Sequence, residues 1–210
     1  DGDLDVVKSW QTSADGLIDR AVLRDDLFWS DGKPFTAHDI AFTYRVIMDP
    51  PVPALAWRDV VKGLKGVVAV DDRTVLYFQK EALITNPMHL VFPVIARHAY
   101  AASYATDPTL KTSPEHVQLN LNPVTYGPYQ LVSWTQRQEI VLERRQAWYQ
   151  GPGGETRRRK PFFRRIHFRV VPQPATSFLD LQAGNLDEAQ MDANHWMNIA
   201  KGPTFSGRCV

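Results

Sequence analysis

Leu23-Arg24-Asp25-Asp26-Leu27-Phe28-Trp29-Ser30-Asp31-Gly32-Lys33-Pro34-Phe35-Thr36-Ala37-His38-Asp39-Ile40-Ala41-Phe42-Thr43-Tyr44 is the stretch whose reading decides the fold. The apolar patch Leu27-Phe28-Trp29 is broken by Ser30-Asp31-Gly32. Asp-Gly is a strong turn dipeptide, because Gly tolerates positive φ and Asp can hydrogen-bond its own turn backbone. Thr36 stands three residues before Asp39. That is a near capping box, with Asp in place of the usual Glu or Gln. Ile40, Tyr44 and Ile47 then recur at helical spacing, with Phe42 and Val46 widening the face. Asp49-Pro50-Pro51 stops the helix, since proline has no N–H and restricts the residue before it.

Working outward, Ile18 to Leu23 alternates and reads as a strand. Downstream, Val67 to Val70 and Thr74 to Phe78 read as two strands around the turn Asp71-Asp72-Arg73. Asn86-Pro87 starts a short helix with proline in its first turn, ended by Pro93. A second short helix covers Arg97 to Tyr104. Residues 105–123 are polar and carry three prolines, so they read as loop and as the candidate domain boundary. Tyr129 to Trp134 and Glu139 to Arg144 read as strands joined by a polar turn over Thr135–Gln138. Gly151 to Lys160 is a loop rich in glycine and arginine. Arg165 to Val171 alternates as a strand. Pro174 to Ala183 is a helix ending at Gly184, a good left-handed cap, and Leu186 to Met191 runs extended from it.

The whole chain has ordinary globular proportions. Of 210 residues, 44% are hydrophobic and 22% charged, enough apolar material for a core, so wholesale disorder is excluded. A net charge of +1 gives no reason to expect a polyanionic partner. Fifteen prolines and 12 glycines predict short elements with defined turns. No apolar run approaches the roughly 20 residues of a membrane-spanning helix. Cys209 is the single cysteine, so no internal disulfide is possible. Both ends read as cuts, made by processing or by truncation.

Few side chains suggest chemistry. Arg157-Arg158-Arg159-Lys160, with Arg164 and Arg165 and the interleaved Phe162 and Phe163, has the composition of a phosphate-binding strip. The plainer reading, a solvated loop entering a strand, fits the near-neutral total better. His38, His89, His98, His116, His167 and His195 are scattered without the close pair spacing of a zinc helix. Asp25-Asp26 and Asp71-Asp72 sit in turns, where they serve turn geometry. No Gly-x-Ser-x-Gly, P-loop or dinucleotide fingerprint is present, so nothing argues for an enzyme. Most of the six tryptophans belong in the core, where burying an indole is a large apolar gain.

The quoted stretch resembles, nearly throughout and without a gap, the signature of the family 5 extracellular solute-binding proteins, which are the peptide and nickel binders of ABC importers. A second likeness is Tyr126-Gly127-Pro128-Tyr129-Gln130-Leu131, then Trp134, Ile140 to Arg145 and Trp148-Tyr149. It is similar to the family's Gly-Thr-Gly-Pro-Tyr segment and following hairpin, with Thr125-Tyr126 in place of Gly-Thr. Arg165 to Pro172, Ala175-Thr176 and Ala183-Gly184-Asn185-Leu186-Asp187 resemble its strand, helix and Ala-Gly corner.

The resemblance implies an α/β (mixed α+β) fold of short mixed strands and short helices, part of a periplasmic-binding-protein-like architecture with the second lobe missing. It implies that residues 1–122 are an extra domain inserted in the first lobe, and that residues 123–210 are part of that ligand-binding lobe. The implied function is capture of a peptide or similar small solute outside the cytoplasmic membrane, by hinge closure of two lobes, for delivery to an ABC permease. Trp57, Gln190 and Asp192 are its implied ligand-lining residues. No cofactor, catalytic residue, metal or nucleic acid is expected. The expected protein is a monomer, periplasmic or extracellular, with a lipid anchor left open. Two alternatives stand beside it: a ligand-sensing domain of a receptor or regulator with the same fold, and a nucleic-acid-binding module using Arg157 to Arg165.

Overall fold

Four short antiparallel strands and the helix that crosses them organise the first half of the chain. The structure, a computed structural model, describes residues 6–151, 154–190 and 193. By its internal contacts the chain divides into two units. Unit 1 holds Asp1–Val132 and Leu142–Arg165; unit 2 holds Ser133–Val141 and Ile166–Val210.

In unit 1, β1 (Val7–Thr12), β2 (Ile18–Leu23), β3 (Leu64–Ala69) and β4 (Thr74–Gln79) form a sheet in the order β1-β2-β4-β3. All three pairings are antiparallel, with Ile18 opposite Phe78 and Val68 opposite Leu76. The two edge strands each slip register at a lysine, between Val7 and Ser9 and between Leu64 and Gly66. A bulge and a charge at an edge discourage pairing with another chain. The β3–β4 turn is closed as expected: the Asp71 carboxylate accepts from the N–H groups of Arg73 and Thr74 at 2.8 and 2.7 Å.

The helix α1 (Ala37–Met48) packs one face on this sheet. Ala37, Ile40 and Ile47 join Leu23, Leu27, Trp29, Leu64 and Val75 in the main core. Phe42 and Val46 face a second cluster with Val52 and Tyr100. The capping pair forms. The Asp39 carboxylate accepts from the Thr36 N–H at 2.8 Å and from its hydroxyl at 3.2 Å. Asp49 ends the helix in an extended conformation.

A short helix α2 (Leu55–Val61) follows, and a 3-10 turn spans Asn86–Leu90 where Asn86-Pro87 predicts a helix start. The helix α3 (Arg97–Thr106) covers the second predicted short helix. Residues 105–123 correct the sequence reading, because α4 (Pro114–Leu121) lies inside them. Pro114 does not break a helix here. It sits in the first turn, where its missing N–H has no partner to lose, and the Ser113 hydroxyl caps the His116 N–H at 3.2 Å. Composition made the segment look like loop; proline position decides it. The strand β1 and the helix α2 were also absent from the sequence reading.

The remaining strands, β5 (Tyr129–Thr135), β6 (Glu139–Arg144) and β7 (Arg165–Arg169), form a sheet in the order β5-β6-β7. The β5–β6 turn holds Arg137 at φ 60, closed by the Gln138 N–H on the Thr135 carbonyl at 3.0 Å. One helical turn, α5 (Gln146–Tyr149), follows β6. In unit 2, α6 (Pro174–Gln182) ends as expected, with Gly184 at φ 78. Leu186 to Gln190 carries no strand, and Met191 lies outside the described residues.

Candidate ligand-binding surface

Trp57, the implied pocket residue of unit 1, owes its orientation to its neighbour. Arg58 reaches back from α2 to the end of α1. It donates to the carbonyls of Ile47 at 2.7 Å, Asp49 at 2.6 Å and Pro50 at 3.3 Å, and also to that of Val52. Ile47 lies in the last turn of α1, where carbonyls lack a helical partner, and the other three carbonyls belong to the cap and the turn after it. Successive helical residues point about 100° apart. Holding Arg58 against α1 therefore turns Trp57 outward, and it stays 43% exposed.

Leu55 is exposed on the same helix. The 3-10 turn that packs against α2, with its flanks, adds exposed Leu83, Ile84, Met88 and Val91, with Ile84 at 98%. Gly63 permits this packing: a Cβ there would lie 2.1 Å from the His89 Nδ1. These exposed side chains of unit 1 are apolar, chemically suited to aliphatic or aromatic groups rather than to charges.

A cavity of about 780 Å³, lined by Phe28, Trp29, Gln130, Arg145, Trp148 and Arg157 among others, lies beside the signature loop in the same unit. Its lining includes Arg145, a residue only 6% exposed. The Arg145 guanidinium donates to the carbonyls of Trp29 at 2.8 Å, Gly127 at 3.0 Å, Phe28 at 3.1 Å and Thr125 at 3.4 Å. Burial lowers its pKa, opposed by Tyr126 and Asp31, and a guanidinium remains charged regardless. Arg145 thus joins the two stretches that carry the family likeness. Tyr126, the departure from Gly-Thr, fills space with its ring, 4.9 Å from both Phe35 and Trp148.

The arginine strip is largely committed to carboxylates. Arg158 pairs with Asp26 at 3.2 Å and lies over the Trp148 ring at 4.2 Å. Hydrogen bonding from Arg24, aided by the Arg158 charge and opposed by burial, keeps the Asp26 carboxyl below its ordinary pKa. Arg157 pairs with Glu155, and Arg164 and Arg165 share Glu143. Guanidinium groups already paired release fewer counterions on meeting phosphate, so the geometry does not favour the nucleic-acid alternative.

Gln190 is exposed in unit 2, and Asp192 lies outside the described residues. Sequence reasoning did not single out Arg58 and gave Arg145, the end of the second family-like stretch, no role of its own. Each is one arginine among many, and its partners are main-chain carbonyls that carry no sequence signal. Among the described residues no group of three or more His, Cys, Asp or Glu could hold a metal ion, and no helix is long and apolar enough to cross a membrane.

A cradle of carbonyls around Arg145 and the multiply bonded Asp39 carboxylate hold the signature stretch in a sheet-and-helix scaffold. Comparison with known proteins gives it a family. The model for bacterial extracellular solute-binding proteins, family 5, matches residues 4–206, and the chain belongs to that family. It is 26% identical over 182 residues to the nickel-binding periplasmic protein of Escherichia coli, covering 87% of this chain and 32% of that one. It is 29% identical over 138 residues to the periplasmic oligopeptide-binding protein OppA of Salmonella typhimurium, covering 58% and 24%. The fold matches NikZ from Campylobacter jejuni, solved in complex with Ni(L-His), with a TM-score of 0.73 at 24% identity over 94% of this chain and 36% of that one. The chain spans about a third of the length of the relatives it matches. The mixed α/β fold of short strands and helices is thus part of a periplasmic-binding-protein fold, and the relatives are binding proteins that act outside the cytoplasm.

Proposed function

We propose that this chain belongs to the substrate-binding component of an ABC importer, which captures a peptide or similar small solute outside the cytoplasmic membrane and presents it to a permease. The single observation that carries this reading is the family match across residues 4–206. In this reading residues 1–122 are the extra domain of the first lobe, and residues 123–210 are part of the ligand-binding lobe. Ligand bridges two lobes and shifts the population toward the closed form. Trp57, Gln190 and Asp192 line the site. The exposed apolar side chains around Trp57 favour a ligand with apolar groups, such as a peptide.

The test is calorimetric titration of the full-length protein with di-, tri- and oligopeptides and with histidine-chelated nickel. Saturable binding of a peptide, accompanied by a rise in Tm, is the expected result. Absence of binding to every one of these solutes would overturn the proposal.

A further inference from the structure

Phe162 and Phe163 stand in the middle of the cationic strip, 88% and 57% exposed. A single exposed apolar side chain is ordinary. Here two are adjacent, and their rings meet edge-on at 5.0 Å. The main chain beneath them is held. The Arg144 guanidinium, on β6, donates to the carbonyls of Pro161 at 2.8 Å and Phe162 at 3.3 Å. The Tyr129 hydroxyl, on β5, donates to the carbonyl of Phe163 at 2.9 Å. A fixed backbone therefore presents the two rings, and little ordering is left to lose when they meet a partner.

The charges around the rings are only partly neutralised. Glu155 and Asp26 take Arg157 and Arg158, while Arg164 and Arg165 share the single Glu143 at 3.7 and 3.8 Å. Those last two side chains are 82% and 58% exposed, and pairs so open to water hold little. Among the described residues neither Arg159 nor Lys160 has a carboxylate partner, and Lys160 lies 5.8 Å from the centre of the Tyr149 ring. Cations thus flank the aromatic pair on both sides. A membrane surface takes up that combination, with rings at the boundary of headgroups and acyl chains and cations against anionic headgroups. A nucleic acid draws its affinity from more free cations than these. A purely acidic surface would answer the cations and leave the rings in water.

We propose that Phe162 and Phe163, with Arg159, Lys160, Arg164 and Arg165 beside them, form a docking tip for an anionic lipid surface. Two rings and a short basic collar hold a protein at a membrane reversibly, well short of a permanent anchor. The tip does not depend on which solute the protein binds. It needs only a place outside the cytoplasm, where the family acts.

The test is sedimentation of the full-length, unacylated protein with vesicles of phosphatidylglycerol in phosphatidylcholine, and with vesicles of phosphatidylcholine alone. Binding to the anionic vesicles, weakened by added salt, is the expected result. Arg159→Ser combined with Lys160→Ser should weaken it about 25-fold, from about fivefold for each cation near an anionic surface. Phe162→Ser, at a side chain too exposed to disturb the core, should weaken it about tenfold, and Phe162→Trp should keep the affinity. Equal binding to both kinds of vesicle, or binding to neither, would overturn the tip. Full binding by Phe162→Ser would reduce it to plain charge attraction and overturn it as well. Binding to soluble polyglutamate in place of vesicles would assign these residues to a protein partner and overturn the lipid reading.

Discussion

Residues 23–48 and residues 52–92 share one unit and treat their side chains in opposite ways. In the first stretch polar groups are buried and multiply satisfied. Asp39, 3% exposed, accepts from the Thr36 N–H and hydroxyl, from the Trp29 indole at 3.3 Å and from the Arg97 N–H at 2.7 Å. One carboxylate thus caps α1 and anchors the start of α3, where helix N-termini favour negative charge. In the second stretch Val61, Leu64 and Val75 are buried in the core, but Leu55, Trp57, Leu83, Ile84, Met88 and Val91 stand in solvent. The difference teaches that the recognisable motif marks the scaffold, while the exposed apolar side chains proposed to meet a ligand carry no motif.

If that contrast is right, the largest losses of stability belong to the scaffold. Arg145→Ala takes a donor from four carbonyls beside a cavity, of which Trp29 and Thr125 keep a backbone N–H partner. We expect about 2–4 kcal/mol of destabilisation from the lost charge-assisted bonds and the carbonyls left unpaired. Urea unfolding measures it, and a loss below about 1 kcal/mol would remove Arg145 from the scaffold. Asp39→Asn comes next. The amide keeps the shape but presents N–H groups toward donors, for an expected loss of about 2 kcal/mol. Circular dichroism melts should show it, with helix content lost from α1 and α3 first.

Much of the scaffold was legible in the sequence because its signals are local. Thr36 and Asp39 are three residues apart, Asp71 closes its own turn, and Gly184 supplies the positive φ that α6 needs to end. Gly184→Ala tests the last of these in unit 2. It should cost about 1 kcal/mol, and a neutral result would show that α6 ends by other means. What was not legible depends on contacts between distant residues. Arg145 meets Phe28 across 117 positions. Pro114 reads as a loop residue until Ser113 is seen capping His116. Of the candidate ligand residues, Trp57 could be named from the family likeness. The apolar set around it could not, because Leu55, Ile84 and Met88 have the same composition as core residues and only the packing of α2 shows that they are not.

The smallest effect on stability, and the sharpest test of the contrast, belongs to Trp57. Its indole is partly exposed and, among the described residues, no hydrogen bond of the scaffold uses it, whereas Arg58 beside it carries the bonds that fix α2. Trp57→Ala should therefore cost less than about 1 kcal/mol of stability, because only part of its apolar area leaves contact. Its effect should appear in ligand affinity instead, as a weakening of about tenfold or more, the loss expected when an aromatic anchor is truncated. Arg58→Ala should do the reverse, lowering Tm and disturbing affinity only through a displaced α2. Parallel melts and titrations of the two variants separate the roles. If Trp57→Ala lowers Tm and leaves affinity untouched, the surface is a part of the scaffold and the boundary between the two stretches moves.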